Sequence, residues 1–139
     1  MKTQVLVVDD SSLVRKILSR ELDKDGKIEV IGTAPDPYVA RDMIVRREPD
    51  VLTLDIEMPR MDGLTALRQV RRVCDAAVLM VSSLTTGGSN AALAALRNGA
   101  SDFIAKDCSQ ISLDVVKIEQ DLVAKVQAIA RGRRPGLVK

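Results

Sequence analysis

Histidine and tryptophan are absent from this 139-residue chain, and Tyr38 and Phe103 are its only aromatic residues. Without histidine, the chain cannot supply the histidine of a hydrolase nucleophile–base pair. The two cysteines, Cys74 and Cys108, are too few and too far apart for the spacing of a metal site. The core must therefore be built from aliphatic side chains.

Long apolar runs are also missing. No apolar stretch is long enough to span a bilayer, so we expect no membrane insertion. The first apolar run begins at Val5 and offers no secretory signal pattern. We therefore expect a cytoplasmic chain in which both thiols stay reduced.

Charge of either sign is nearly balanced, with 21 basic and 19 acidic residues. Four of the basic residues lie in 131–139 and no acidic residue follows Asp121, which leaves 17 basic against 19 acidic residues in 1–130. We expect residues 1–130 to form one domain and residues 131–139 a basic linker or tail. A solvated linker is favoured over a contact with nucleic acid or membrane, and no nucleic-acid partner is expected.

Short apolar runs alternate along the chain with longer amphipathic segments, a pattern typical of a parallel sheet covered by helices. The predicted strands are Val5–Val8, Ile28–Ile31, Val51–Leu54, Ala77–Val81 and Asp102–Ala105. The predicted helices cover about 11–25, a segment that starts at Asp36-Pro37, Gly63–Val73, a segment from Ser89 to Gly99, and about 113–130. With right-handed crossovers this order predicts an α/β, flavodoxin-like, doubly wound (βα)5 fold with sheet order 2-1-3-4-5.

Helical spacing also predicts which side chains face the sheet. The apolar positions of the first helix are Leu13, Val14, Ile17, Leu18 and Leu22; those of the second are Val39, Ala40, Met43 and Ile44; those of the third are Leu64, Leu67, Val70 and Val73.

Polar residues follow four of the predicted strands. Asp9-Asp10 follows the first, Asp55 the third, Ser82-Ser83 the fourth and Lys106 the fifth. Because parallel strands end at one edge of a sheet, these residues are expected to converge there. The carboxylate oxygens of the aspartates are ligands that Mg²⁺ prefers, and Mn²⁺ is an alternative. We expect Asp9, Asp10, Asp55 and the backbone carbonyl of Glu57 to form the metal site, although strand-end acids also commonly cap helices.

Asp55 can attack a phosphorus centre once a metal offsets its charge, giving an acyl phosphate. The phosphoryl oxygens then need partners, which Lys106, the Ser82 hydroxyl and backbone N–H groups of Glu57 and Ser83 can supply. Side-chain alternation along the strand favours Ser82 over Ser83 for the hydroxyl. Taken alone, Ser82 or Lys106 would more often be a solvated surface residue.

These pieces resemble the receiver domain of two-component response regulators over residues 4 to 130. The similarity is carried by Val8-Asp9-Asp10, by residues 55–63 (DIEMPRMDG), by Val81-Ser82-Ser83, by residues 99–103 (GASDF) and by Lys106. A narrower resemblance links residues 33–37 (TAPDP), 39–42 (VARD), 49–55 (PDVLTLD), 57–59 (EMP) and 80–85 (MVSSLT) to the regulatory domains of chemotaxis protein-glutamate methylesterases, the CheB group.

The resemblance implies roles for individual residues. Asp55 matches the phosphoacceptor, Asp9 and Asp10 the metal-binding acids, and Lys106 the phosphate-pairing lysine. Ser82 matches the switch hydroxyl and Phe103 the switch aromatic, for which ordinary core packing is the alternative. The implied partners are a CheA-like histidine kinase as phosphoryl donor and, in a longer parent, a methylesterase domain that the receiver regulates.

Two departures from the family's pattern stand out. Asp107 follows Lys106 where the family usually has a proline in a cis bond, and a non-proline cis bond costs about 3 kcal/mol. A methylesterase needs a hydrolase domain with a nucleophilic serine and a histidine, and this chain contains no histidine, so we expect no esterase activity in it. A regulatory fragment of a longer protein is favoured over a stand-alone receiver.

Three other functions compete with the switch. A phosphatase of the haloacid dehalogenase type needs a second Asp two residues after the nucleophile, where this chain has Glu57. A pseudo-receiver that binds partners without phosphorylation is favoured only by Asp107. Nucleic-acid binding has only the short basic tail in its favour.

Overall fold

The computed structural model describes residues 2–55, 63–83, 88–106 and 122–131. Nine elements alternate in this part of the chain before a final helix. They are β1 (Thr3–Val8), α1 (Ser12–Asp23), β2 (Ile28–Ala34), α2 (Pro37–Arg47), β3 (Val51–Asp55), α3 (Gly63–Val73), β4 (Ala77–Ser83), α4 (Gly88–Arg97) and β5 (Asp102–Lys106). Residues 122–131 form a further helix, α5, which is the described part of the predicted helix over 113–130.

The five strands form one parallel sheet in the order β2-β1-β3-β4-β5, which confirms the predicted topology. Strands β1 and β3 are neighbours at the centre, where Val8 lies opposite Leu54. The chain therefore reverses its direction of winding between these two strands, and an open α/β sheet forms its crevice at that point. β5 is an edge strand.

The pairing of β1 with β2 contains one irregularity. Val5 lies opposite Val30 but Leu6 lies opposite Gly32, so the register skips Ile31. A Cβ atom at Gly32 would lie 3.3 Å from the Sδ atom of Met43 on α2. This close approach of helix and strand favours glycine. β2 continues to Ala34, so the prediction that it ends at Ile31 was too short.

Two helices begin at capping side chains. The Ser11 hydroxyl accepts a hydrogen bond from the Val14 N–H at 3.2 Å, and the Asp36 carboxylate accepts one from the Val39 N–H at 2.9 Å. Each cap satisfies a backbone donor that has no partner within the helix. Asp36-Pro37 thus starts α2 as predicted. α1 ends at Asp23 with Lys24 as its cap, earlier than the predicted end near Asp25-Gly26.

The helices cover both faces of the sheet, and each face has its own apolar core. One core joins the sheet to α2, α3 and α4 through Ala40, Ile44, Ala66, Leu67, Val70 and Ala95. The other joins it to α1 and α5 through Leu18, Leu22, Leu122 and Val126. Aliphatic side chains dominate both cores, as the scarcity of aromatic residues requires.

Three of the predicted inward positions are wrong. Leu13, Val39 and Val73 are 52%, 42% and 40% exposed. The buried positions of α2 are Pro37, Ala40 and Ile44, so Val39 lies one position away from the stripe that packs on the sheet. Val73 is the last residue of α3, beyond the buried pair Leu67 and Val70.

Among the helices of the described ranges, none combines the length and the apolar character that crossing a bilayer requires.

Candidate phosphoryl-acceptor and metal site

The carboxyl end of β1 leads directly into a buried aspartate. Asp9 is fully buried, and its Oδ1 atom accepts a hydrogen bond from the Ser11 N–H at 2.9 Å. The Asp9 N–H donates to the Ala34 carbonyl at 3.1 Å and so extends the pairing of β1 with β2. The backbone on both sides of Asp9 is therefore fixed, and its carboxylate has a defined place at the sheet edge.

Asp55 is the last residue of the neighbouring strand β3 and is 1% exposed. The pairing of Val8 with Leu54 makes Asp9 and Asp55 the next residues on adjacent strands. Asp10 follows Asp9 at the surface. One carboxylate oxygen from each of Asp9, Asp10 and Asp55 lies within 4.8 Å of the others. The structure thus brings together the three acids that the sequence predicted to converge.

Three carboxylates at this separation repel one another, and two of them are shielded from water. A divalent cation that takes oxygen ligands offsets this repulsion. Because Asp10 is exposed, such a cation can also keep water ligands on that side. The donor set therefore fits Mg²⁺ or Mn²⁺. The fourth predicted ligand, the backbone carbonyl of Glu57, lies outside the described residues.

Arg15 is a neighbour of this site that the sequence analysis missed. Its Nη1 atom donates to the Asp9 carbonyl at 2.8 Å, so a guanidinium on the first turns of α1 reaches back to the end of β1. Cations near clustered carboxylates offset part of their repulsion. Only the i+6 spacing from Asp9 connects the two residues in sequence, and no known periodic pattern would have indicated the contact.

The remaining predicted site residues lie on β4 and β5. Asp55 is opposite Val81 in the sheet, Ser82 is opposite Ala105, and Ser83 is opposite Lys106. The backbone of all these residues is therefore at the same edge as the acid cluster. The side chains of Ser82, Ser83 and Lys106 lie outside the described part of the structure, as does Asp107, so their predicted roles stay predictions.

Phe103, the predicted switch aromatic, lies on β5 opposite Met80. It is half-buried and packs against the core shared with α2, α3 and α4. The Nζ atom of Lys125 lies 5.4 Å from the centroid of its ring. Phe103 thus combines core packing with a polar contact at the edge of the sheet.

The sequence profile of the response regulator receiver domain matches residues 5–116. The chain belongs to the response regulator receiver domain family. The sheet order and the aspartate cluster described above agree with this membership. This membership confirms the predicted fold and the predicted function as a receiver domain of two-component signalling.

Two curated relatives are similar to nearly the whole of this chain. The receiver domain is 55% identical over 133 residues to a protein-glutamate methylesterase/protein-glutamine glutaminase of Oleidesulfovibrio alaskensis, and 54% identical over 129 residues to one of Nitratidesulfovibrio vulgaris. The alignments cover 96% and 93% of this chain but only 36% and 35% of those proteins. The chain thus spans about a third of the length of the relatives it matches.

A solved structure supports the same relationship. The response regulator domain of Thermotoga maritima CheB is 38% identical, with a TM-score of 0.84, and the match covers 97% of this chain and all of that one. The receiver domain of NarL from Mycobacterium tuberculosis is 32% identical with a TM-score of 0.78. The receiver domain is therefore homologous to CheB regulatory domains, and the methylesterase part of such proteins lies outside the matched region.

Proposed function

We propose that this receiver domain takes a phosphoryl group onto Asp55, with Mg²⁺ held by Asp9, Asp10, Asp55 and the backbone carbonyl of Glu57. Mn²⁺ is the alternative metal. The observation that carries the proposal is the convergence of three carboxylates within 4.8 Å at the switch point of the sheet. The mutual repulsion of these carboxylates is offset when a cation binds, and Asp55 is the member that belongs to a central strand itself, as the last residue of β3.

In the proposed reaction, a carboxylate oxygen of Asp55 forms a bond to phosphorus while the bond from phosphorus to the donor breaks. The donor leaves with the bonding electrons, as histidine imidazole from a kinase or as acetate from acetyl phosphate. Mg²⁺, when bound, supplies positive charge near the three phosphoryl oxygens. Lys106, the Ser82 hydroxyl and the N–H groups of Glu57 and Ser83 bind those oxygens.

The output of the switch is proposed to pass through Ser82 and Phe103. When Ser82 moves toward the phosphoryl group, space opens that the Phe103 ring can fill. The half-buried position of Phe103, between the core and the edge of the sheet, supports this role because the ring is not fully enclosed by other side chains. A charge change at Asp55 then alters the surface formed by α4, β5 and α5.

The proposed partners follow from the relatives. Proteins named protein-glutamate methylesterase carry a region matching this chain over about a third of their length, so we propose that a methylesterase domain accompanies it in a longer parent. A CheA-like histidine kinase is the proposed donor. Family membership and the scarcity of cysteine favour the cytoplasm.

The proposal is tested by the intact mass of the protein after incubation with acetyl phosphate and Mg²⁺. We expect one phosphoryl adduct, which hydroxylamine removes because an acyl phosphate is labile to that nucleophile. Asp55→Asn and a sample with chelator should give no adduct. Asp42→Asn, the same chemical change at an exposed position of α2, should behave like wild type.

Failure to form an adduct with several small donors and at short times would refute phosphorylation. The second candidate function, a pseudo-receiver that binds partners without phosphorylation, would then be favoured, since Asp107 stands where the family has proline. Asp107→Pro is the variant that would next be compared. Turnover of phosphate monoesters by the wild type would instead favour a phosphatase.

A further inference from the structure

Lys125 reaches around the open edge of the sheet. It lies on α5, which packs on the face opposite to α4, whereas β5 has no strand on its outer side in the described sheet. Its Nζ atom donates a hydrogen bond to the Phe103 carbonyl at 2.7 Å. An edge strand exposes such carbonyls to water or to other chains, so this bond satisfies an otherwise open acceptor.

The same ammonium group makes two further contacts. It lies 3.8 Å from Oδ1 of Asp102, and that oxygen also accepts a hydrogen bond from the Phe103 N–H at 2.8 Å. It also lies 5.4 Å from the centroid of the Phe103 ring, within the range of a cation–π contact. One cation therefore contacts the carbonyl, the ring and the capping carboxylate of a single strand segment.

The position of Lys125 is set by the core and not by its own charge. Leu122 and Val126, three residues before it and one after it, are fully buried in the core of the α1 and α5 face. Its own side chain is 34% exposed. Because these neighbours anchor α5, the backbone of Lys125 is already fixed beside Phe103. The contact therefore costs only the conformational entropy of the lysine side chain.

We propose that Lys125 is a positioning residue that holds the Phe103 ring in its described orientation and thereby couples α5 to the proposed switch. The hold itself requires no phosphorylation, but its part in signalling rests on the proposed function. A ring that rotates to another χ1 rotamer loses its 5.4 Å approach to the Lys125 cation. Lys125 thus sets part of the equilibrium among the χ1 rotamers of Phe103.

Phe103 is the only phenylalanine of the chain, so a sample labelled with ¹³C and ¹⁵N in phenylalanine reports on this ring alone. The three-bond couplings from its backbone N and carbonyl carbon to Cγ measure the populations of its χ1 rotamers. In Lys125→Met we expect the minor rotamer to rise about two- to fivefold, which is the range of an exposed cation–π contact. Lys125→Gln keeps a hydrogen-bond donor without the charge and should resemble Lys125→Met.

Lys125→Arg restores the cation and should return the couplings toward the wild-type values. Lys27→Met is the matched control, since it removes one exposed lysine in the turn before β2. Unchanged couplings in a folded Lys125→Met protein would overturn the proposal, even if its melting temperature fell, because a purely structural lysine would behave in that way. An equal change in Lys27→Met would overturn it as well.

A second measurement separates this proposal from the proposed function. If the rotamer that Lys125 disfavours is the one that favours phosphorylation, Lys125→Met should react with acetyl phosphate about two- to fivefold faster than wild type. If the wild type takes no phosphoryl group at all, the proposed function fails, while the couplings of the unmodified protein still decide whether Lys125 holds the ring. Faster reaction in Lys125→Met with unchanged couplings would overturn the positioning role.

Discussion

The centre of the sheet and its β5 edge are held by different forces. The side chains of Val5–Val8 and Val51–Leu54 are at most 1% exposed, and they are packed between helices on both faces. At the β5 edge, Asp102 and Phe103 are partly exposed, and polar contacts with Lys125 hold them to α5. Exposing buried apolar side chains to water costs free energy that no other contact replaces. Polar groups at a surface that lose a contact can form hydrogen bonds with water instead.

The difference indicates how a receiver domain can combine a fixed site with a mobile output. The acids proposed to bind the metal lie at the ends of the buried central strands, where small displacements are opposed by packing. The aromatic residue proposed to move lies at the edge, where its contacts are individually weak. This contrast predicts larger effects of substitution at the centre of the sheet than at its β5 edge.

Removing a large side chain should cost more at the centre than at the edge. Leu52 on β3 is fully buried between two neighbouring strands, and Leu52→Ala should lower the free energy of unfolding by about 3–5 kcal/mol. Ile104 on β5 is also buried, but the edge can relax around a smaller side chain, so Ile104→Ala should cost about 2–3 kcal/mol. Urea unfolding measures both.

Val45→Ala, at a site 60% exposed on α2, is the control for side-chain truncation and should change the free energy of unfolding by less than about 0.5 kcal/mol. Equal losses in Leu52→Ala and Ile104→Ala would contradict the contrast between centre and edge.

The central strands also contain a polar group whose removal should stabilise the protein. Thr53 is fully buried between Val7 and Leu79, and among the described residues its hydroxyl has no hydrogen-bond partner. Thr53→Val replaces the hydroxyl by a methyl group of similar size. We expect the free energy of unfolding to rise by about 1–2 kcal/mol, because an unsatisfied buried hydroxyl costs free energy.

Thermal and urea unfolding of Thr53→Val should agree on this gain. Thr33→Val on β2, at a half-buried position, is the matched control and should have little effect. A destabilised Thr53→Val would mean that the hydroxyl has a partner in solution.

At the acid cluster, whether Asp10→Asn is more or less stable than wild type should depend on the presence of Mg²⁺. Asp10→Asn removes one of three mutually repelling charges, so the metal-free protein should gain on the order of 1 kcal/mol in stability. In excess Mg²⁺ the wild type should gain more stability from binding than the variant does. Unfolding in chelator and in Mg²⁺ measures both signs.

Asp42→Asn, which lies on α2 outside the cluster, should show neither effect. If Asp10→Asn destabilises the metal-free protein, the carboxylate makes a favourable contact that outweighs the repulsion.

The sequence predicted the centre of the molecule better than the edge, and the same physics explains why. Alternation of apolar runs with amphipathic segments sets the strand order, and strand ends place Asp9, Asp10 and Asp55 together. The exposure of Val39 and Val73 depends on the rotation of each helix about its own axis. Apolar spacing alone determines this rotation only to within about one residue position. The contact of Lys125 with Phe103 joins residues 22 apart through flexible side-chain geometry, for which no sequence pattern exists.

The smallest expected effect concerns local opening at the edge. Loss of the Lys125 contacts in Lys125→Met should lower the cost of opening β5 by about 0.5–1 kcal/mol. Amide hydrogen exchange should therefore quicken about two- to fivefold in Asp102–Lys106 and in residues 122–131, but stay unchanged in β1 and β3. Lys27→Met should leave all four segments as in wild type. If exchange quickened to the same extent in Val5–Val8, the variant would lower global stability, and the edge would not open independently of the centre.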